Sequence, residues 1–301
     1  MPSSTHAYAS SRFSLRHAGS GGHRRYVGPG TARGRQASRA GLGGGAWVAR
    51  LRRALAEDLF ALRYQPIVSL TDGRVSHHEA LVRLADEPDG RLVLPGAFLP
   101  AAERHGLIRE IDLLVLERAI ALLARAGERG GGAPAVAVNL SALSVTDPRM
   151  LARVEGLLGR RAVDPARLVI ELTETSAISD MRRARDFCAG AQRLGCAIAL
   201  DDFGAGFGSF QYLKHLPFTY LKIDGGFIRG LTSSRTDQLV VSALVQLAHG
   251  MGRRTIAEFV ADSPTLQMVA EHGVDLAQGY AIGPPVHERA LVPRRGYVAS
   301  R

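Results

Sequence analysis

A chain of 301 residues that is 46% hydrophobic is long enough to bury one sizeable core, and its formal net charge of +10 raises the question of an anionic partner. No apolar run approaches roughly 18 residues, which argues against a membrane-spanning helix, and no apolar stretch comes after the basic N-terminus as a secretory signal requires, so a cytoplasmic protein is expected. Two cysteines, Cys188 and Cys196, supply neither a disulfide framework nor a zinc set and are expected as buried thiols.

Residues 1–45 are rich in Gly, Ser and Arg, and no Asp or Glu occurs in residues 1–50. This segment has no apolar periodicity and reads as a disordered basic leader; a shorter basic tail covers 291–301. Charge without a recognised reading motif predicts only weak, salt-sensitive contact with nucleic acid. Order is expected over 46–290. It opens with WVARLRRALAEDLFALRY, where Val48, Leu51, Leu55 and Leu59 have helical spacing and Trp47 is placed to pack this entry helix onto the folded body.

Eight apolar runs then stand in order: LRYQPIVSL, VSHHEALVRL, AVAVNLS, RLVIELTE, AIALDDFG, YLKIDG, RTIAEFV and LAQGYAIG. Between most of them lie amphipathic helical patterns such as IDLLVLERAIALLARAG and RTDQLVVSALVQLAHGMG. Strand and helix alternating in this way predict a mainly parallel α/β sheet. The first two runs are separated only by a turn around Thr71-Asp72-Gly73, too short for a parallel crossover, so they read as an antiparallel hairpin. Eight strands over roughly 240 residues fit a modified (β/α)8 TIM-type barrel with one antiparallel strand. An open doubly wound sheet is the runner-up, but the chain has no GxGxxG or GxxxxGK[ST] turn.

Each run after the first turns polar near its end: Glu79, Asn139, Glu171 with Glu174, Asp201 with Asp202, Lys222 with Asp224, Glu258, and Gln278. One such residue is explained by an exposed strand end. Seven runs doing so would converge on one barrel face, where active sites sit. Carboxylates gathered there either rise in pKa or recruit cations, and an all-oxygen set selects Mg²⁺ or Mn²⁺. Adjacent strand residues face opposite sides, so Asp201 and Asp202 can share a site only where the strand breaks; Gly204 and Gly206 supply that freedom. Two cations about 4 Å apart suit in-line phosphoryl chemistry, and Lys222 among the acids could orient a water or take its proton. His77 and His78 read as wall residues, since hard cations prefer oxygen. His105 and His272, each before a glycine, read as helix C-caps.

YQPIV, EALVR, PGAFLPAAERHGLI, VNLS, ELTET, DDFGAG, YLKID, IAEFV and AQGYAIGPP stand in order from about Leu59 to Pro285. On these motifs the chain resembles the EAL-domain family of cyclic di-GMP phosphodiesterases. The resemblance implies hydrolysis of cyclic di-GMP to linear pGpG with two Mg²⁺ or Mn²⁺ ions per site, in a homodimer. It makes Glu79, Asn139, Glu171 and Asp201 ligands of the first ion and Asp202, with the shared Asp201, a ligand of the second. Lys222 resembles the residue that holds the nucleophilic water, Glu258 a support for a metal or its water, and Glu174 the brace of the loop after Asp202. Gln65 and Arg83 resemble substrate contacts, and Gln278 is expected at the site edge. Two departures are present: Ala261 stands where a second Glu is common, with Asp262 one residue on, and Gly208 replaces a loop serine. They keep a catalytically silent cyclic di-GMP receptor as the alternative.

Overall fold

The computed structural model describes residues 44–128, 134–173, 180–204 and 213–292. The basic leader up to residue 43, Glu174, Gly206, Gly208 and the tail from residue 293 lie outside these residues. The strands are β1 (Phe60–Ser69), β2 (Val75–Leu84), β3 (Val136–Asn139), β4 (Leu168–Thr173), β5 (Ala197–Phe203), β6 (Tyr220–Ile223), β7 (Arg254–Ala257) and β8 (Leu276–Gln278). They close into one barrel in sequence order. β1 runs antiparallel to both β2 and β8, and every other neighbouring pair is parallel. The expected hairpin is therefore present, and β1 is the reversed strand. Its turn is made by Gly73, whose φ of +69° suits glycine and whose N–H donates to the Ser69 carbonyl at 2.9 Å.

The helices are α1 (Gly44–Ala56), α2 (Pro95–Arg104), α3 (Ile108–Gly127), α4 (Ala142–Val145), α5 (Met150–Arg160), α6 (Met181–Leu194), α7 (Gly225–Gly230), α8 (Arg235–Gly250) and α9 (Ser263–Glu271). Asp180, Asp224, Ser234 and Asp262 cap α6 to α9 by accepting backbone N–H bonds. Gly106 and Gly273 take positive φ directly after His105 and His272, the C-cap residues of α2 and α9. Trp47, Leu51 and Ala54 bury one face of α1, and Arg50 stacks over the Trp47 ring while pairing with Asp86 and Glu87 just beyond β2. Cys188 and Cys196 are buried free thiols, which burial pushes up to about 12 and about 11.

Strand alternation sorts the barrel into two environments. Outward residues such as Val138, Ile170, Leu200 and Leu221 join the helix faces in the main core. Inward residues form a separate apolar floor: Ile67, Ile256 and Leu276 in one cluster, Ala137, Val169 and Ala199 in another, with Tyr220 against both. The His77 ring packs on Tyr220 at 5.3 Å between centroids, so His77 is the wall residue its position suggested.

Candidate metal centre

Period-two alternation places a second inward residue two positions from each floor residue, toward the mouth. The pairs are His77 and Glu79, Ala137 and Asn139, Val169 and Glu171, Ala199 and Asp201, Tyr220 and Lys222, Ile256 and Glu258, Leu276 and Gln278. On reversed β1 the step runs backward, from Ile67 to Gln65, which pairs with Glu79 in register. The apolar floor thus carries a polar layer with one member from each of seven strands and Glu258 directly after β7. The layer is buried rather than an exposed rim: Glu171 and Lys222 are 0% exposed, and Glu79, Asp201, Glu258 and Gln278 are below 9%.

Lys222 sits at its centre. Nζ donates to Glu171 Oε2 at 2.8 Å and forms ion pairs with Asp201 Oδ1 at 2.8 Å, Glu258 Oε1 at 3.0 Å and Glu79 Oε2 at 3.7 Å. The Asp201 contact is close but lacks hydrogen-bond alignment. Burial alone lowers the lysine pKa, yet Asp201, Glu171, Glu258 and Glu79 outweigh it and raise it well above the usual value. Burial raises Glu171 well above the carboxylate range and Glu258 to about 8, each opposed by Lys222. Burial, then the charge of Asp201, raises Asp202 to about 6. One ammonium does not neutralise this set of acids.

The amides brace Glu79. Asn139 Nδ2 donates to its Oε1 at 2.7 Å and Gln278 Nε2 to its Oε2 at 2.6 Å. Gln278 also donates to Gln65 Oε1 at 3.3 Å, and Gln65 Nε2 donates to the Gly283 carbonyl at 3.1 Å. Gln278 therefore lies within the buried layer, not at the edge where the sequence placed it.

Asp201 and Asp202 do share the site. The β5–β6 register shifts between Leu200 and Phe203, and Asp202 itself takes φ +53°. The break falls on the aspartate, with Gly204 at φ +100° completing the turn away. One carboxylate oxygen each from Asp201, Asp202 and Glu258 lies within 4.8 Å of the others. Glu171 Oε1 and Glu258 Oε2 are buried without a hydrogen-bond partner among the described residues. Orphaned carboxylate oxygens beside neutral amide oxygens fit a hard divalent cation and offer nothing to a soft one.

Arg83 lies on the Glu79 face of β2, half-buried, with Nη1 donating to the Val82 carbonyl at 2.8 Å. Burial lowers its pKa, with Glu79 opposing. Arg63 stands on the same face of β1, two residues before Gln65, and adds a cation that the sequence reading missed. The two-residue step from Gln65 was the available signal. Ala261 is exposed, outside the layer, and Asp262 caps α9 by accepting the Thr265 N–H at 2.9 Å. Asp224 likewise accepts the Gly226 N–H at 2.8 Å as the cap of α7. A cavity on β1 is lined by Leu62, Arg63, Tyr64, Arg118 and Arg125, of which Arg63 alone stands on the Gln65 face.

The family described as EAL domain matches residues 48–285. Cyclic di-GMP phosphodiesterase PdeF of Escherichia coli (strain K12) is 37% identical over 238 residues, 78% of this chain and 31% of the relative. The bifunctional diguanylate cyclase/cyclic di-GMP phosphodiesterase MucR of Pseudomonas aeruginosa is 35% identical over 242 residues, 80% of this chain and 35% of the relative. The chain thus spans about a third of the curated relatives it matches. The solved complex of the PaMucR phosphodiesterase with c-di-GMP superposes with a TM-score of 0.77 at 34% identity, covering 82% of this chain and 99% of that one. The FimX EAL domain of Xanthomonas citri, also in complex with c-diGMP, gives 0.74 at 33% identity, covering 81% and 94%.

Proposed function

Because the chain belongs to the EAL domain family, we propose that it is a phosphodiesterase that hydrolyses cyclic di-GMP to linear pGpG with Mg²⁺ or Mn²⁺. The observation that carries this reading is the buried polar layer, whose Glu171 and Glu258 each keep an oxygen without a hydrogen-bond partner among the described residues. Glu79, Asn139, Glu171 and Asp201 would hold one ion, and Asp201, Asp202 and Glu258 a second. Bound divalent ions supply Lewis-acid polarisation of the phosphodiester and a water of lowered pKa.

The remaining work falls to side chains. Lys222, whose Nζ stands 2.8 Å from Glu171 Oε2 and 2.8 Å from Asp201 Oδ1, is placed to orient the attacking water or to take its proton. Water attacks phosphorus in line, the bond to the ribose oxygen on the opposite side breaks and opens the ring, and the proton lost by the water is balanced by the one gained by that leaving oxygen. Arg83 offers a planar donor fork to a phosphate oxygen, with Arg63 as a second cation on that face. Gln65 and Gln278 hold Glu79 and the mouth segment in register. Glu174 is assigned to brace the loop after Asp202, and a homodimer completes the proposal.

Two substitutions test these roles. Glu79→Ala should abolish hydrolysis through loss of metal binding. Lys222→Ala should cut turnover by about 100-fold or more while cyclic di-GMP binding stays close to wild type. Full turnover by Lys222→Ala would remove the water-orienting role.

A further inference from the structure

α3 turns an apolar face to the barrel, and Asp112 stands in that face beside Ile108, Ile111, Val115 and Leu116, only 6% exposed. A carboxylate so placed is tolerated only when its oxygens accept hydrogen bonds. Oδ2 accepts the Ser141 backbone N–H at 2.9 Å and the Ser144 hydroxyl at 2.7 Å. The donors come from Ser141, in the turn that leaves β3, and from Ser144, in the short α4 that follows, not from α3 itself. Burial pushes the carboxyl up to about 6, with the negative Glu103 in the same direction and the two serines opposing.

That turn begins at Asn139. Its other side is tied to β4, where the Leu140 N–H donates to the Glu171 carbonyl at 2.9 Å. Ser141 Oγ then caps α4 by accepting the Ser144 N–H at 3.3 Å. Glu171 holds the turn on the barrel side and Asp112 holds it on the helix side. Immediately before these ties, Asn139 Nδ2 is spent on Glu79 Oε1, which leaves its Oδ1 as the atom offered to the site.

We propose that Asp112 is a positioning residue of the metal centre: it fixes the turn from Asn139 to Ser144, and through that turn the Asn139 amide, so that Nδ2 braces Glu79 while Oδ1 faces a divalent cation. The proposal rests on the reading of Asn139 as a ligand. Groups that orient ligands in this way govern metal affinity nearly as strongly as the ligands themselves.

The test is calorimetric titration of the full chain with Mn²⁺, with melting temperatures measured alongside. The variants are Asp112→Ala, Asp112→Asn, Asn139→Ala and the Asp112→Ala/Asn139→Ala double. Asp112→Ala should weaken Mn²⁺ by about 10-fold at a temperature where it is folded. Asp112→Asn should recover most of that loss, because its amide oxygen can accept both donors. On the Asn139→Ala background, Asp112→Ala should add less than about 2-fold, since the two act through one atom. Wild-type Mn²⁺ affinity in Asp112→Ala, or a full additive loss in the double variant, overturns the proposal. If Asp112→Ala does not fold, Ser144→Ala decides, and unchanged Mn²⁺ affinity in that variant overturns it. A wild-type protein that binds no Mn²⁺ overturns the metal reading itself, a separate and visible failure.

Discussion

Lys222 is the residue whose surroundings explain most about the site. Its ammonium is the counter-charge that lets four carboxylates share a buried layer. Removing it while the acids remain should lower the stability of the metal-free protein by about 3 kcal/mol, because unpaired buried charge is costly. The loss should shrink on acidification, as Glu258, raised to about 8, takes up its proton, and Mn²⁺ should restore much of it. Melting curves of Lys222→Met with and without Mn²⁺, from pH 8 down to pH 5, check this; a variant as stable as wild type at pH 8 contradicts it. Asp112 gives a second pH signature. Its folded pKa of about 6 lies above the ordinary 3.8, so the folded state binds the proton more tightly. Stability from this group is present below about pH 4 and lost as pH rises through about 6. Relative to Asp112→Asn, the wild type should lose about 3 kcal/mol across that window, two units at about 1.4 kcal/mol each. A flat difference between the two unfolding curves contradicts the shift.

At the scale of elements, the break in β5 decides whether two neighbouring aspartates can serve one site. Alternation made a break necessary, and the glycines downstream advertised one. Where it falls was not legible, because a non-glycine residue at φ +53° is held by its surroundings rather than by its own preference. Gly204 is the testable partner. Its φ is +100°, and an added Cβ would lie 2.7 Å from the Phe227 ring. Gly204→Ala should therefore cost about 1–2 kcal/mol in backbone strain alone and displace Asp202, so metal affinity should fall together with melting temperature. An unchanged affinity would detach the turn from the site. The polar residue near the end of seven runs was readable because strand ends recur with period two, whereas Asp112 hid inside a helix whose apolar spacing dominates. The Arg50 contact to Asp86 links two elements that lie 36 residues apart, and local pattern carries no trace of such a pair.

At the scale of the molecule, the turn around Gly73 betrayed a reversed strand, because no parallel crossover fits so few residues. The sequence did not tell which of the two strands is reversed; closure of β1 against β8 as well as β2 shows that it is β1. That reversal brings Gln65 into register with Glu79 and so completes the polar layer around the barrel. Burial of the layer was also not legible, since a polar strand end is equally compatible with a solvated rim; the close packing of Lys222 among acids excludes the rim. The measurement that tests the account most directly is chromatographic analysis of cyclic di-GMP incubated with the purified chain and Mn²⁺, beside a chelated control. The account predicts linear pGpG with Mn²⁺ and none after chelation. Intact cyclic di-GMP in both samples, with the nucleotide still bound by the protein, would contradict hydrolysis and leave a receptor.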